Sequence, residues 1–143
     1  MIDAKRLPDW RSRLAAVLTT GEGTPFAWGS HDCFLGLAVP AIEALIGVDL
    51  GADYRGAYNS PEGARAALAA RGFYDLADAA AAHFPEIPPA RAHIGDLAVL
   101  PSDDADGLGV GLGVVIGERI LALSPTGQGT VRLSRATRAF RVG

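Results

Sequence analysis

Hydrophobic positions change their spacing about two thirds of the way along the chain. Trp10, Leu14, Val17 and Leu18 fall on one face at helical spacing, with Pro8 suited to a first turn. Gly21 and Gly23 close that helix and open a loop. The segment 34–46 is then almost uniformly apolar, with Glu43 its one charge. A helix apolar on nearly all sides is buried, so a helix over 32–46 is predicted as the centre of the core. Gly47 supplies its stop. Pro40 lies inside it and should kink it or split it in two.

Residues 49–58 read as short helical or irregular structure. Ser60-Pro61 then pairs an N-cap with a first-turn proline. Helices are expected over 62–71, ending at Gly72, and over 75–83, ending before Pro85. Pro85, Pro88 and Pro89 make a stiff connector, after which helical spacing does not return.

From Ile94 onward the period is two. Strands are predicted at 96–100, 108–116, 119–123, 129–133 and 139–142. In 108–116 the bulky residues Leu108, Val110, Leu112, Val114 and Ile116 alternate with Gly109, Gly111, Gly113 and Val115. That gives one bulky face and one bare face, and the bare face is expected to let a helix approach closely. Gly117-Glu118 is placed at a hairpin turn. Helices followed by an antiparallel sheet make an α+β fold, and the 143 residues suit a single domain over 1–143.

Composition adds exclusions. Apolar residues make up 49% and charged residues 20%, which is globular. A net charge of −3 lacks the basic excess of a nucleic-acid surface. No apolar run nears the ~20 residues of a membrane span. The opening residues, 1–7, lack the apolar stretch of a signal peptide. The expectation is a chain made in a cytoplasm, with release by another route such as host lysis. A single cysteine precludes an internal disulfide.

That cysteine sits in Pro25-Phe26-Ala27-Trp28-Gly29-Ser30-His31-Asp32-Cys33, a loop running into the buried helix. Unpaired N–H groups and the positive end of the helix dipole favour a thiolate there. Cys33 is thus either a nucleophile or a small buried hydrophobe. A nucleophile needs a base, and the candidates are His31, His83 and His93, of which His83 is expected to be exposed at a helix end.

Three further patterns read as structural. The glycines at 107, 109, 111 and 113 do not meet a nucleotide-loop spacing. Asp103, Asp104 and Asp106 lack the ligand order of a calcium loop. Arg132, Arg135, Arg138 and Arg141 recur every third residue. They point in different directions on an extended chain, or form a basic edge for an acidic partner. No cofactor or metal is implied.

Trp28-Gly29-Ser30-His31-Asp32-Cys33, Gly95-Asp96-Leu97, Leu112-Gly113-Val114-Val115-Ile116-Gly117 and the terminal Ala139-Phe140-Arg141-Val142-Gly143 together resemble the papain-like NlpC-type cell-wall peptidases. They resemble more closely a set of short phage and prophage proteins related to those enzymes. The likeness runs from Pro25 to the end. It implies a papain-like fold, with the Cys33 helix packed on a small antiparallel sheet. Carried over by motif, the nucleophile is Cys33, the histidine position falls at Gly111, and the third polar position falls near Ala122. Loss of such a base costs several orders of magnitude in rate.

The resemblance therefore implies a structural protein of a phage or prophage tail tip or baseplate hub on a degenerate scaffold. Its partners would be other tail proteins, and its location the virion tail. It would bury its glycine face or its arginine edge against a neighbour. The alternative is an active cysteine peptidase or amidase cutting peptidoglycan stems, with Cys33 as nucleophile and His93 or His31 as base. A third reading is a cytoplasmic module that keeps the cleft for a ligand.

Overall fold

The computed structural model describes residues 1–102 and 109–143. The glycine at 107, Leu108 and the acidic run at 103, 104 and 106 lie outside the described residues.

Helix α1 spans Trp10–Gly21, and Leu14 is its buried residue. The central helix is wound in two ways. Cys33–Ala38 is a π-helix, and α2, Val39–Ile46, continues from it as an α-helix. The split expected at Pro40 falls one residue earlier and is a change of winding. The Val39 N–H reaches back five residues to the Phe34 carbonyl, and Pro40, which has no N–H to offer, occupies the first turn of α2. Gly47, at φ 74°, ends α2 in the left-handed conformation.

Helix α3, Pro61–Ala70, starts where Ser60 Oγ accepts from the Gly63 N–H at 3.0 Å. Helix α4, Leu76–His83, starts where Asp75 Oδ1 accepts from the Asp78 N–H at 2.8 Å. His83 is half-buried rather than exposed. Burial and the nearby N-terminal charge lower its pKa, because both disfavour the imidazolium.

Among the described residues six strands follow: β1 Glu86–Ile87, β2 Leu97–Pro101, β3 Val110–Val115, β4 Arg119–Ser124, β5 Gly127–Arg132 and β6 Arg138–Phe140. Single 3₁₀ turns lie at Pro89–Arg91 and Leu133–Arg135. All strand pairs are antiparallel, in the order β1-β6-β2-β3-β4-β5. The expected hairpin is present, with Gly117 at φ 129° in its turn. The fold is α+β, as the change of period implies. Strand β1 was not anticipated, and β5 begins two residues earlier than the pattern suggested.

The sheet separates two apolar layers. Leu97, Val99, Leu112, Val114 and Phe140 pack with Leu37, Ile42 and Leu45 of the central helix. Each such side chain contributes about 1.5–3 kcal/mol on burial. Ala98, Val115 and Ile120 lie on the other side, packed with Ala92, Leu133 and Ala136 of the 3₁₀ turns and their flanks. The helices therefore meet the bulky face of β3, not the bare one. Gly113 is bare because a Cβ there would overlap Ile120 and stand 2.8 Å from the Leu121 carbonyl oxygen. A Cβ at Gly111 would enter open space.

Candidate functional site

Cys33 is the first residue of the π-helix and is half-buried. The residue that positions it is Asp32, 2% exposed. Asp32 Oδ1 accepts from the Phe34 N–H at 3.0 Å and the Leu35 N–H at 2.8 Å. Its Oδ2 accepts from the Gly29 N–H at 3.0 Å and the Tyr58 hydroxyl at 2.6 Å. An aspartate before an apolar run is a legible N-cap signal. The reach to Tyr58 crosses 26 positions and carries no local signal.

Gly29 permits the approach: φ is 85°, and a Cβ would collide with the Tyr58 carbonyl. The Gly56 N–H also donates to the Gly29 carbonyl at 3.1 Å. The loop that holds Trp28 is thereby tied to the segment that holds Tyr58. The thiol shares a small cavity with Trp28, Asp32, Phe34, Tyr54 and Tyr58.

The chemistry of this cavity follows from the hydrogen bonds. A carboxylate offers about four lone-pair sites, and Asp32 has all four occupied by donors. It is a structural acceptor that ties the loop to the helix start. Burial raises the Tyr58 pKa above the usual phenol value, and the hydrogen bond to Asp32 and the nearby Asp32 and Cys33 charges raise it further. Tyr58 therefore remains a neutral donor at physiological pH.

The two candidate bases are not among the residues lining that cavity. The His31 ring packs on the bare Cα of Gly36, where a Cβ would stand 2.8 Å from its Cγ. His31 Nε2 is buried without a hydrogen-bond partner among the described residues. The ring lines a depression with Ala16, Val17, Thr20, Gly21 and Pro40, which shares no residue with the Cys33 cavity. His93 is exposed in the turn before β2, and its main-chain N–H donates to Asp96 Oδ2 at 2.8 Å. Gly111 and Ala122 alternate with the helix-facing residues and so stand on the outer face of the sheet. On β3 and β4 the residues packed with the Cys33 layer are Val110, Leu112, Val114, Leu121 and Leu123, all apolar.

The Gly-Asp pair at 95–96 serves a different purpose. Asp96, 1% exposed, accepts at Oδ1 from Arg6 Nη2 at 3.0 Å and the Val142 N–H at 3.1 Å. Arg6 also donates from Nε to the Val142 carbonyl at 2.8 Å and from Nη1 to the Ile94 carbonyl at 2.7 Å. Burial lowers the Arg6 pKa, opposed by the Asp96 charge. The side chain stays a cation, as arginine does in proteins. The Arg6 guanidinium lies 4.3 Å from the Trp10 ring centroid. Gly95 takes φ 96° with Arg6 close against it. Two of the resembling motifs, Gly95-Asp96 and Arg141-Val142-Gly143, thus meet in one clasp, and nothing in the sequence had marked Arg6.

No curated protein matches the chain. A family model, described as a domain of unknown function, matches residues 5–142. The matched span reaches from the residue beside Arg6 to Val142, taking in both sides of the clasp and all of the Cys33 cavity between them. On that match the chain belongs to the family DUF6950.

Proposed function

We propose that the protein is a structural component of a phage or prophage tail tip or baseplate hub, built on a catalytically degenerate NlpC-type scaffold. The phage setting is carried by the motif resemblance. The loss of hydrolysis is supported by one observation: the residues of β3 and β4 packed with the Cys33 layer are apolar, and Gly111 and Ala122, where the resemblance places the base and its orienting partner, carry no side-chain proton acceptor. A base is what an acyl-enzyme cycle needs in order to turn over.

A second reading, a cysteine peptidase or amidase acting on peptidoglycan stems, draws on the position of Cys33 at a helix start, which favours a thiolate. The two readings separate in one experiment. The purified protein and a Cys33→Ala variant are incubated with muropeptides, and new amine termini are measured. Equal silence is expected. Turnover in the natural protein that vanishes in the variant would overturn the proposal, and His31→Ala and His93→Ala would then identify the base. The tail assignment is checked by fractionating assembled particles and probing for the chain at the tail tip.

A further inference from the structure

Residues 119–143 contain five arginines and no aspartate or glutamate, in a chain whose net charge is −3. Of these arginines only Arg138 has an ion-pair partner among the described residues, Glu86 at 2.8 Å. Arg119 and Arg132 stand directly opposite each other on β4 and β5, and both are exposed. Like charges in directly opposed cross-strand positions are destabilising. Arg119 donates to the hydroxyl and carbonyl of Thr130, at 2.9 Å and 3.2 Å, and neither it nor Arg132 forms an ion pair among the described residues. Arg135 ends the 3₁₀ turn that follows, and Arg91 ends the 3₁₀ turn packed against it. Both are exposed and form no ion pair among the described residues. Glu118, next to Arg119 and exposed in the hairpin turn, also forms no ion pair among the described residues.

The same place is an edge of the sheet. β5 is the last strand in the order, and β4 is its only main-chain partner among the described residues. Exposed edges are usually blunted by proline, by inward charges or by a cover. β5 contains no proline, and Gly129, Thr130 and Arg132 are exposed. A Cβ on Gly127 or Gly129 would meet nothing within 4 Å.

We infer that the free edge of β5 receives an extended acidic segment of a partner protein as a seventh strand, with carboxylates answering Arg119 and Arg132. A main-chain ladder supplies the affinity of such an arrangement, and side chains supply the choice of partner. The alternation on β5 sets the pattern of the incoming strand. Gln128, Thr130 and Arg132 share one face, and Gly127, Gly129 and Val131 share the other, where Val131 packs with the outer apolar layer. The complementary strand alternates glutamate with valine. A free anionic polymer satisfies the arginines but leaves the edge unpaired, so the geometry favours a polypeptide. This inference does not depend on whether Cys33 is active.

The test uses a soluble peptide of alternating Glu and Val, with amide shifts of the labelled protein followed by NMR. The expected result is salt-sensitive binding with shifts concentrated on β5. Binding should weaken about tenfold or more against an Arg119→Glu/Arg132→Glu variant, which should in turn bind the matching Lys-Val peptide. The exposed positions let that variant keep the native amide spectrum elsewhere. Failure of the acidic peptide to bind, equal binding of both peptides by the natural chain, or shifts away from β5 would overturn the inference. So would unchanged binding of a peptide whose ladder amides are N-methylated, since that is attraction by charge alone. Tighter binding of an oligonucleotide of equal charge would make the patch a polyanion surface instead. Self-association lost in the Arg119→Glu/Arg132→Glu variant would assign the edge to a second copy.

Discussion

Replacing Asp32 with alanine tests whether one carboxylate organises the Cys33 loop. The change removes four hydrogen bonds, at 2.6, 2.8, 3.0 and 3.0 Å. Loss of the helix cap costs about 1 kcal/mol. Leaving the Tyr58 hydroxyl and the buried Gly29 N–H without an acceptor adds about 1–3 kcal/mol. The expected total is about 2–4 kcal/mol, a large share of the ~5–15 kcal/mol that holds a domain together. Tyr58→Phe removes one of the four donors and should cost about 1–2 kcal/mol. The double variant should cost less than the sum of the two by about 1 kcal/mol, since both single changes break the same bond. Asp32→Asn should fall between, because Oδ1 keeps its two N–H donors while the new amide meets the Gly29 N–H. Urea unfolding followed by tryptophan fluorescence measures all four variants beside the natural protein, with Trp28 in the affected cavity. A cost below about 0.5 kcal/mol for Asp32→Ala, or strict additivity with Tyr58→Phe, would refute the role assigned to the carboxylate.

Two further outcomes follow from the sheet and from the tyrosines. Gly113→Ala should destabilise by about 1–3 kcal/mol, because its methyl collides with Ile120 and the Leu121 carbonyl, whereas Gly111→Ala, opening into empty space, should shift the urea midpoint little; equal effects would show that the two glycines are not distinguished by packing. Tyr54 and Tyr58 both have raised pKa values, with burial the largest cause, so the native state holds phenol protons that the unfolded chain releases near pH 10. Stability should therefore be intact below pH 10 and fall as pH rises beyond it. Tyr58→Phe should flatten that decline, measured as the urea midpoint against pH, and an unchanged slope would count against the buried phenol.

The sequence made the local features readable. Helix limits followed from Ser60-Pro61, Gly47 and Gly72, and the hairpin from period two around Gly117-Glu118. These signals act over a few residues, so the chain displays them directly. Periodicity also says which residues share a face, but not which face turns inward. For that reason the glycine face of β3 was expected against the helix and lies on the other side. The π-winding over Cys33–Ala38 leaves no mark in an apolar run, because every residue there is buried or half-buried whatever the pitch. At the candidate site, Cys33 and its capping Asp32 are adjacent and legible. Tyr58 and Arg6 act across long separations and were invisible. His31 is a near neighbour of Cys33 in sequence, and its packing against Gly36 beside α1 carries no local signal.

The Arg6 clasp bears on the order in which the fold assembles. Its bond to the Val142 carbonyl spans 136 positions, and closing a loop of that length in an unfolded chain costs roughly 4 kcal/mol in entropy. One charged hydrogen bond cannot offset that, so the clasp forms only after β2, β3 and β6 have brought Asp96 and Val142 together. It belongs to the native side of the folding barrier. Arg6→Ala should then speed unfolding and leave the folding rate nearly unchanged, a φ-value close to zero in a chevron analysis. A contact of this kind acts as a latch on the lifetime of the folded state, and a φ-value near one would place the latch in the nucleus instead.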